Sequence, residues 1–246
     1  MTRSKSSLDS IKNANKSNAN LSAHGNAVGA AGVKESSTND IQDLLDKNGE
    51  SNIISPPEGG FGTFKIGLAW TNVIVEQSTG FMGLIKKATK QGVDLDLGCF
   101  FELNDGTRGI LQPFGDLYGN FDALPYISLS GDNRTGEGEG HDEAISINGT
   151  QWSKIKRVLV YCYIYKGPND WSQIKPHLDI NLSDEENLLA IEPRLKTNDL
   201  SVCALASMKN IKDGLQIVTH GEYFVSQAAM DRAFGFGLKW EDGAKD

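Results

Sequence analysis

From Gly60 onward the apolar residues of this chain recur with a period of two, which restricts the folded part to an architecture built from strands. Phe64, Ile66, Leu68 and Trp70 alternate with Lys65, Gly67 and Ala69. Between residues 93 and 103, Val93, Leu95, Leu97, Cys99, Phe101 and Leu103 form one face and leave Asp94 and Asp96 side by side on the other. Residues 155–165 are apolar on both faces, which predicts a strand in the middle of a sheet. The same alternation predicts strands near 73–75, 126–129, 145–147, 178–182, 188–195, 200–208 and 215–225, with turns at Asn104-Asp105-Gly106 and Asn148-Gly149. Helical character is confined to short pieces: residues 117–124, a turn capped by Asp170 that runs to Lys175, and residues 226–233. About eight strands separated by turn signals predict an all-β domain, an antiparallel β-sandwich with a few short helices.

The first part of the chain reads differently. Residues 1–57 are rich in Ser, Asn, Lys, Ala and Gly and contain no aromatic residue. Such a composition buries too little apolar surface to offset the entropy of ordering, so a disordered N-terminal arm is expected over 1–57 and one sandwich domain over 58–246. Pro56-Pro57 marks that boundary, and residues 41–45 form a lone amphipathic patch within the arm. A formal charge of -8 argues against a nucleic-acid partner and against an anionic membrane surface. Nothing approaches the ~18 consecutive apolar residues of a membrane span, and the polar N-terminus lacks the apolar core of a secretory signal. Cys99, Cys162 and Cys203 are widely spaced within apolar runs, which predicts buried, reduced thiols and a cytoplasmic location.

The chemistry concentrates in residues 130–143, SGDNRTGEGEGHDE. Asp132, Glu137, Glu139, Asp142 and Glu143 place five carboxylates against the single cation of Arg134, and four glycines allow tight turns. Two readings stay open on these residues alone: a solvated acidic turn, or a site for a hard divalent cation, since calcium takes about 6–8 oxygen ligands. The G-x-G-x-G run is not a phosphate cradle, because the intervening glutamates repel phosphate and no Lys-Ser/Thr pair follows. The spacing also differs from an EF-hand loop. No catalytic constellation stands out: the cysteines and His177 and His220 sit in predicted strands. The alternative to a binding module is a metal-dependent phosphoester hydrolase using the same carboxylates, with Asp96 and Asp142 as its pair.

The loop SGDNRTGEGEGHDE, preceded by Asp94-Leu95-Asp96 running into Cys99-Phe100, resembles the TerD-type family of tellurium-resistance and stress proteins. Members carry a D-L-D strand and a G-D-N-x-T-G-x-G-x-G-D-D-E loop, and the resemblance spans roughly residues 60–240. It implies a calcium-binding β-sandwich from bacterial operons that answer tellurite and other stress, with no established catalysis. It also implies partners among the other proteins of that stress system, and one or two calcium ions. Carried over by position, the implied ligands are Asp94, Asp96, Asp132, Asn133, Asp142 and Glu143, with Gly136 and neighbouring carbonyls as backbone contributors. Two residues depart from the pattern. Glu139 stands where the family has Asp, and His141 replaces the first Asp of the D-D-E run, which weakens one ion if two are held, because imidazole is a poor calcium ligand.

Overall fold

The computed structural model describes residues 51–70, 73–79, 85–130, 143–167, 170–182, 188–191 and 200–240. Two six-stranded antiparallel sheets pack face to face. The first contains β1 (Ser51–Ile54), β14 (Gly214–Phe224), β13 (Val202–Ile211), β10 (Ile155–Lys166), β5 (Asp94–Leu103) and β6 (Arg108–Leu111), in that order across the sheet. The second contains β12 (Leu188–Ile191), β11 (His177–Asn181), β2 (Thr63–Ala69), β9 (Glu143–Asn148), β8 (Ile127–Leu129) and β7 (Gly119–Asn120). The doubly apolar segment becomes β10, flanked by β5 and β13 as the absence of a polar face requires.

The core between the sheets is made by the inward halves of the alternating strands. Phe64, Ile66 and Leu68 of β2 meet Leu95, Leu97 and Cys99 of β5, all fully buried. At about 1.5–3 kcal/mol for each large apolar side chain, this interleaving is the main source of stability. Trp152, in the 3-10 turn Gly149–Lys154, closes one end of the sandwich: its ring meets Phe64 edge-on at 5.3 Å and its indole N–H donates to the Gly214 carbonyl.

Four features differ from the sequence reading. Strand β1 precedes the expected boundary at residue 57, pairing Ser51–Ile54 with residues 215–218 of β14 and packing Ile54 on the core. Residues 117–124 form no helix. Leu117 bridges Gln112, Gly119 holds φ of 74°, and the Asn120 side chain accepts from the amides of Asp122 and Ala123, which favours a turn over a helix. A hairpin, β3 (Val73–Thr79) with β4 (Ile85–Gln91), forms a two-stranded sheet of its own. The described strands number fourteen rather than about eight.

The outer face of the first sheet carries a second apolar layer that alternation alone does not reveal. Besides the four-residue α1 (Trp171–Ile174), capped by Asp170, the described helix is α2 (Gln227–Phe234), started by the Ser226 hydroxyl and stopped by Gly235 in the left-handed region. Met230 of α2 and Phe236 beyond it cover Phe100, Leu159 and Tyr161. Asp231 folds the following segment back by accepting from the amides of Gly237 and Leu238 and from the Trp240 indole. Beneath this cover Glu102, with 2% of its side chain exposed, binds Arg108, Lys156 and Arg157 at 3.0, 2.9 and 2.6 Å. Arg157 also donates to the carbonyls of Phe234 and Gly235 and stacks over the Phe236 ring, so the buried carboxylate ties the C-terminal segment to the sheet.

Candidate metal centre

The outward face of β5 presents Asp94, Asp96, Gly98, Phe100 and Glu102 in alternation, and all five are buried. Asp94 is 9% and Asp96 6% exposed, so the two carboxylates expected to project from a strand edge are withdrawn from bulk water. Their cover comes from β10. Tyr163 lies directly opposite Asp96, and Tyr161 opposite Gly98. Glycine is required at 98, because a Cβ there would come within 2.5 Å of the Tyr161 ring and 2.8 Å of the Leu111 carbonyl oxygen. Tyr161 stacks between Phe100 and Tyr163, at 5.3 and 6.3 Å between centroids, and its hydroxyl donates to Gln112 Oε1 at 2.9 Å. Burial, and after it the neighbouring Asp96 carboxylate, raises the Tyr163 pKa, so the phenol stays a proton donor.

Glu143 comes from the opposite sheet. It opens β9, is 2% exposed, and its carboxylate accepts the backbone N–H of Leu97. Strand β6 pairs with β5 only from Cys99 to Glu102, so the segment before Cys99 has no described strand on that side and a carboxylate takes the position of a strand carbonyl. The other end of the acidic loop is fastened too: Ser130 donates its amide to the Ala144 carbonyl at 2.7 Å and accepts the Ala144 amide on Oγ at 2.9 Å. Ser130 and Glu143, which flank residues 131–142, therefore lie close together at the ends of β8 and β9.

Glu143 thus reaches the strand that carries Asp94 and Asp96, whereas Asp132, Asn133, Gly136, Asp142 and His141 lie outside the described residues. The donor atoms present are carboxylate and phenol oxygens, a set that suits a hard cation. Among the described residues no three His, Cys, Asp or Glu side chains form a group that could hold a metal ion. Tyr161 and Tyr163 were missed as members of this neighbourhood. Their alternation in β10 is visible in the sequence, but it reads there as core.

Among the described residues, the cysteines and His220 sit in packed surroundings. The three thiols are buried and unpaired in disulfides. Cys162 and Cys203 lie opposite each other on β10 and β13, yet burial raises Cys162 and pushes Cys99 and Cys203 up to about 12, far from a reactive thiolate. His220 shares a 2.6 Å hydrogen bond with Ser207 Oγ and meets the Phe234 ring edge-on at 5.0 Å. Burial, with Lys209 nearby, pushes its pKa down to about 4. His177 contacts Asp179 at 2.8 Å on β11. No described helix is long and apolar enough to cross a membrane.

No family model matches the chain. It is 34% identical over 193 residues to the tellurium resistance protein TerA of Alcaligenes sp, an alignment that covers 76% of this chain and 54% of TerA. The chain spans about half the length of that curated relative. Among solved structures, a homologue of telluride resistance protein (TerD) from Streptomyces coelicolor A3(2) aligns with a TM-score of 0.45 and 16% identity, covering 73% of this chain and 100% of that one. A second, of a protein of unknown function, aligns with a TM-score of 0.41 and 18% identity over 72% and 98% of the two chains.

Proposed function

The chain belongs, over the 193 residues it shares with TerA, to the tellurium-resistance protein family, and on that premise we propose that it is a calcium-binding β-sandwich module acting through metal-dependent protein interaction. The observation that carries this reading is the hydrogen bond from Leu97 to Glu143, which draws the C-terminal end of the acidic loop against the strand bearing Asp94 and Asp96. Buried carboxylates on neighbouring positions repel one another, and a divalent cation relieves that repulsion. Asp94, Asp96 and Glu143 would supply carboxylate oxygens, with Asp132, Asn133, Asp142 and the Gly136 carbonyl completing a shell of about 6–8 ligands. Magnesium suits the site less well, since it demands a compact octahedron and gives up its waters reluctantly.

Binding rather than catalysis is the reading supported by the described residues: burial leaves the thiols inert, and His220 is neutral but enclosed. In this account the bound ion organises the loop as a surface for other proteins of the same cytoplasmic stress system. Calorimetric titration of calcium into metal-free full-length protein tests the first half. Saturable heat is expected in the wild type and is lost in Asp96→Asn and Asp132→Asn. Capture of partners from a bacterial lysate with and without chelator tests the second, and equal capture in both would remove the metal from the interaction.

A further inference from the structure

We propose that Tyr163 is a positioning residue for the cation site, its hydroxyl orienting the Asp96 carboxylate towards the ion. The proposal rests on the calcium reading above and adds a residue to it. Tyr163 and Asp96 are directly opposed on neighbouring antiparallel strands, so their side chains leave the same face about 5 Å apart at the Cβ atoms. The phenol is held from behind. It stacks on Tyr161, whose ring lies across Gly98 and is pinned through its own hydroxyl to Gln112. Tyr163 is 8% exposed, and the acceptor that its buried hydroxyl faces across the strands is the Asp96 carboxylate.

A buried hydroxyl needs an acceptor, and the register sets the Asp96 carboxylate directly opposite this one. Oxygen ligands depend on such outer partners: a donor that fixes one carboxylate oxygen leaves the other aimed at the ion, and losing it typically lowers metal affinity about 10–100-fold. Tyr161 provides the internal contrast, since it has the same ring chemistry one step along the strand but gives its proton to an amide rather than to a carboxylate.

The test compares Tyr163→Phe and Tyr161→Phe with the wild type by calcium calorimetry and by thermal melting of the metal-free proteins. Tyr163→Phe keeps the ring and its stacking, and should weaken calcium binding about tenfold while leaving the metal-free melting temperature unchanged or slightly raised. Tyr161→Phe should lower that melting temperature, through loss of the Gln112 bond, without changing calcium affinity. Unchanged affinity in Tyr163→Phe overturns the positioning role while the calcium site stands. Equal loss in both variants overturns it as well, because ring packing would then be responsible. Absence of calcium binding in the wild type sinks the underlying site and this role together.

Discussion

The carboxylate of Glu143 accepts the backbone amide of Leu97 across the two sheets, joining the last residue of the acidic loop to the strand that carries Asp94 and Asp96. One side chain therefore combines a structural bond with a place among the proposed ligands.

The two roles separate by substitution. Glu143→Gln retains an oxygen for the Leu97 amide but removes the charge, so the metal-free fold should melt within a few degrees of wild type while calcium affinity falls at least tenfold. Glu143→Ala leaves the buried amide unsatisfied and should cost about 2–3 kcal/mol in urea unfolding. Equal stability of the two variants would show that the Leu97 bond contributes little.

Glu102 makes a second prediction, at the opposite end of β5. Burial alone would raise its pKa, but Lys156, Arg157 and Arg108 together hold it below the ordinary value near 4.5. A carboxyl depressed in the fold adds stability that is present above its unfolded pKa and disappears as pH falls through the folded one. Glu102→Gln should therefore lose about 2 kcal/mol at pH 7, with the gap to wild type closing below pH 4.5. Two of the three cations are substantially exposed, which keeps the figure modest. Urea melts at pH 7, 5 and 3.5 measure it, and a gap that persists at pH 3.5 would assign the loss to packing.

His220 contributes with a different window. Its pKa falls from about 6.5 unfolded to about 4 folded, so the unfolded chain takes up the proton first and stability declines as pH drops between those values. The expected loss is about 2–3 kcal/mol over that interval, beyond what carboxylates contribute. His220→Gln should flatten the stability profile from pH 6.5 to 4. An unchanged profile would mean that the histidine titrates alike in both states.

At the N-terminal side, removing residues 1–50 should leave the melting temperature nearly unchanged. Removing residues 1–55 strips β1 from β14 and takes Ile54 off the core, so that form should lose about 2 kcal/mol. Identical melting of the two truncations would show that β1 contributes nothing.

The strands were largely legible in advance because one buried face and one covered face impose a strict alternation, as in β2, β5 and the doubly apolar β10. β1 was hidden because four residues, Ser51–Ile54, are too few to show a period and border a polar arm. The outer layer was hidden for another reason: Glu102 and Asp231 are charged residues that ordinarily mark a solvated face, and they are buried because Glu102 pairs with Arg157 and its neighbouring cations while Asp231 accepts from the Gly237 and Leu238 amides and the Trp240 indole. That Asp94 and Asp96 share one face of β5 was legible through their two-residue spacing. That Tyr163 lies opposite Asp96 was not, because cross-strand register is set by the whole sheet rather than by local sequence.

The most direct measurement of the central claim is the thermal melt of metal-free protein against calcium concentration, with magnesium in parallel and Asp96→Asn and Asp132→Asn as controls. The account predicts that calcium at a hundredfold excess over its dissociation constant stabilises the fold by about 2.7 kcal/mol, that magnesium does less, and that both variants lose most of the shift. A wild-type melt that does not move with calcium would contradict it and leave residues 130–143 as a solvated acidic turn.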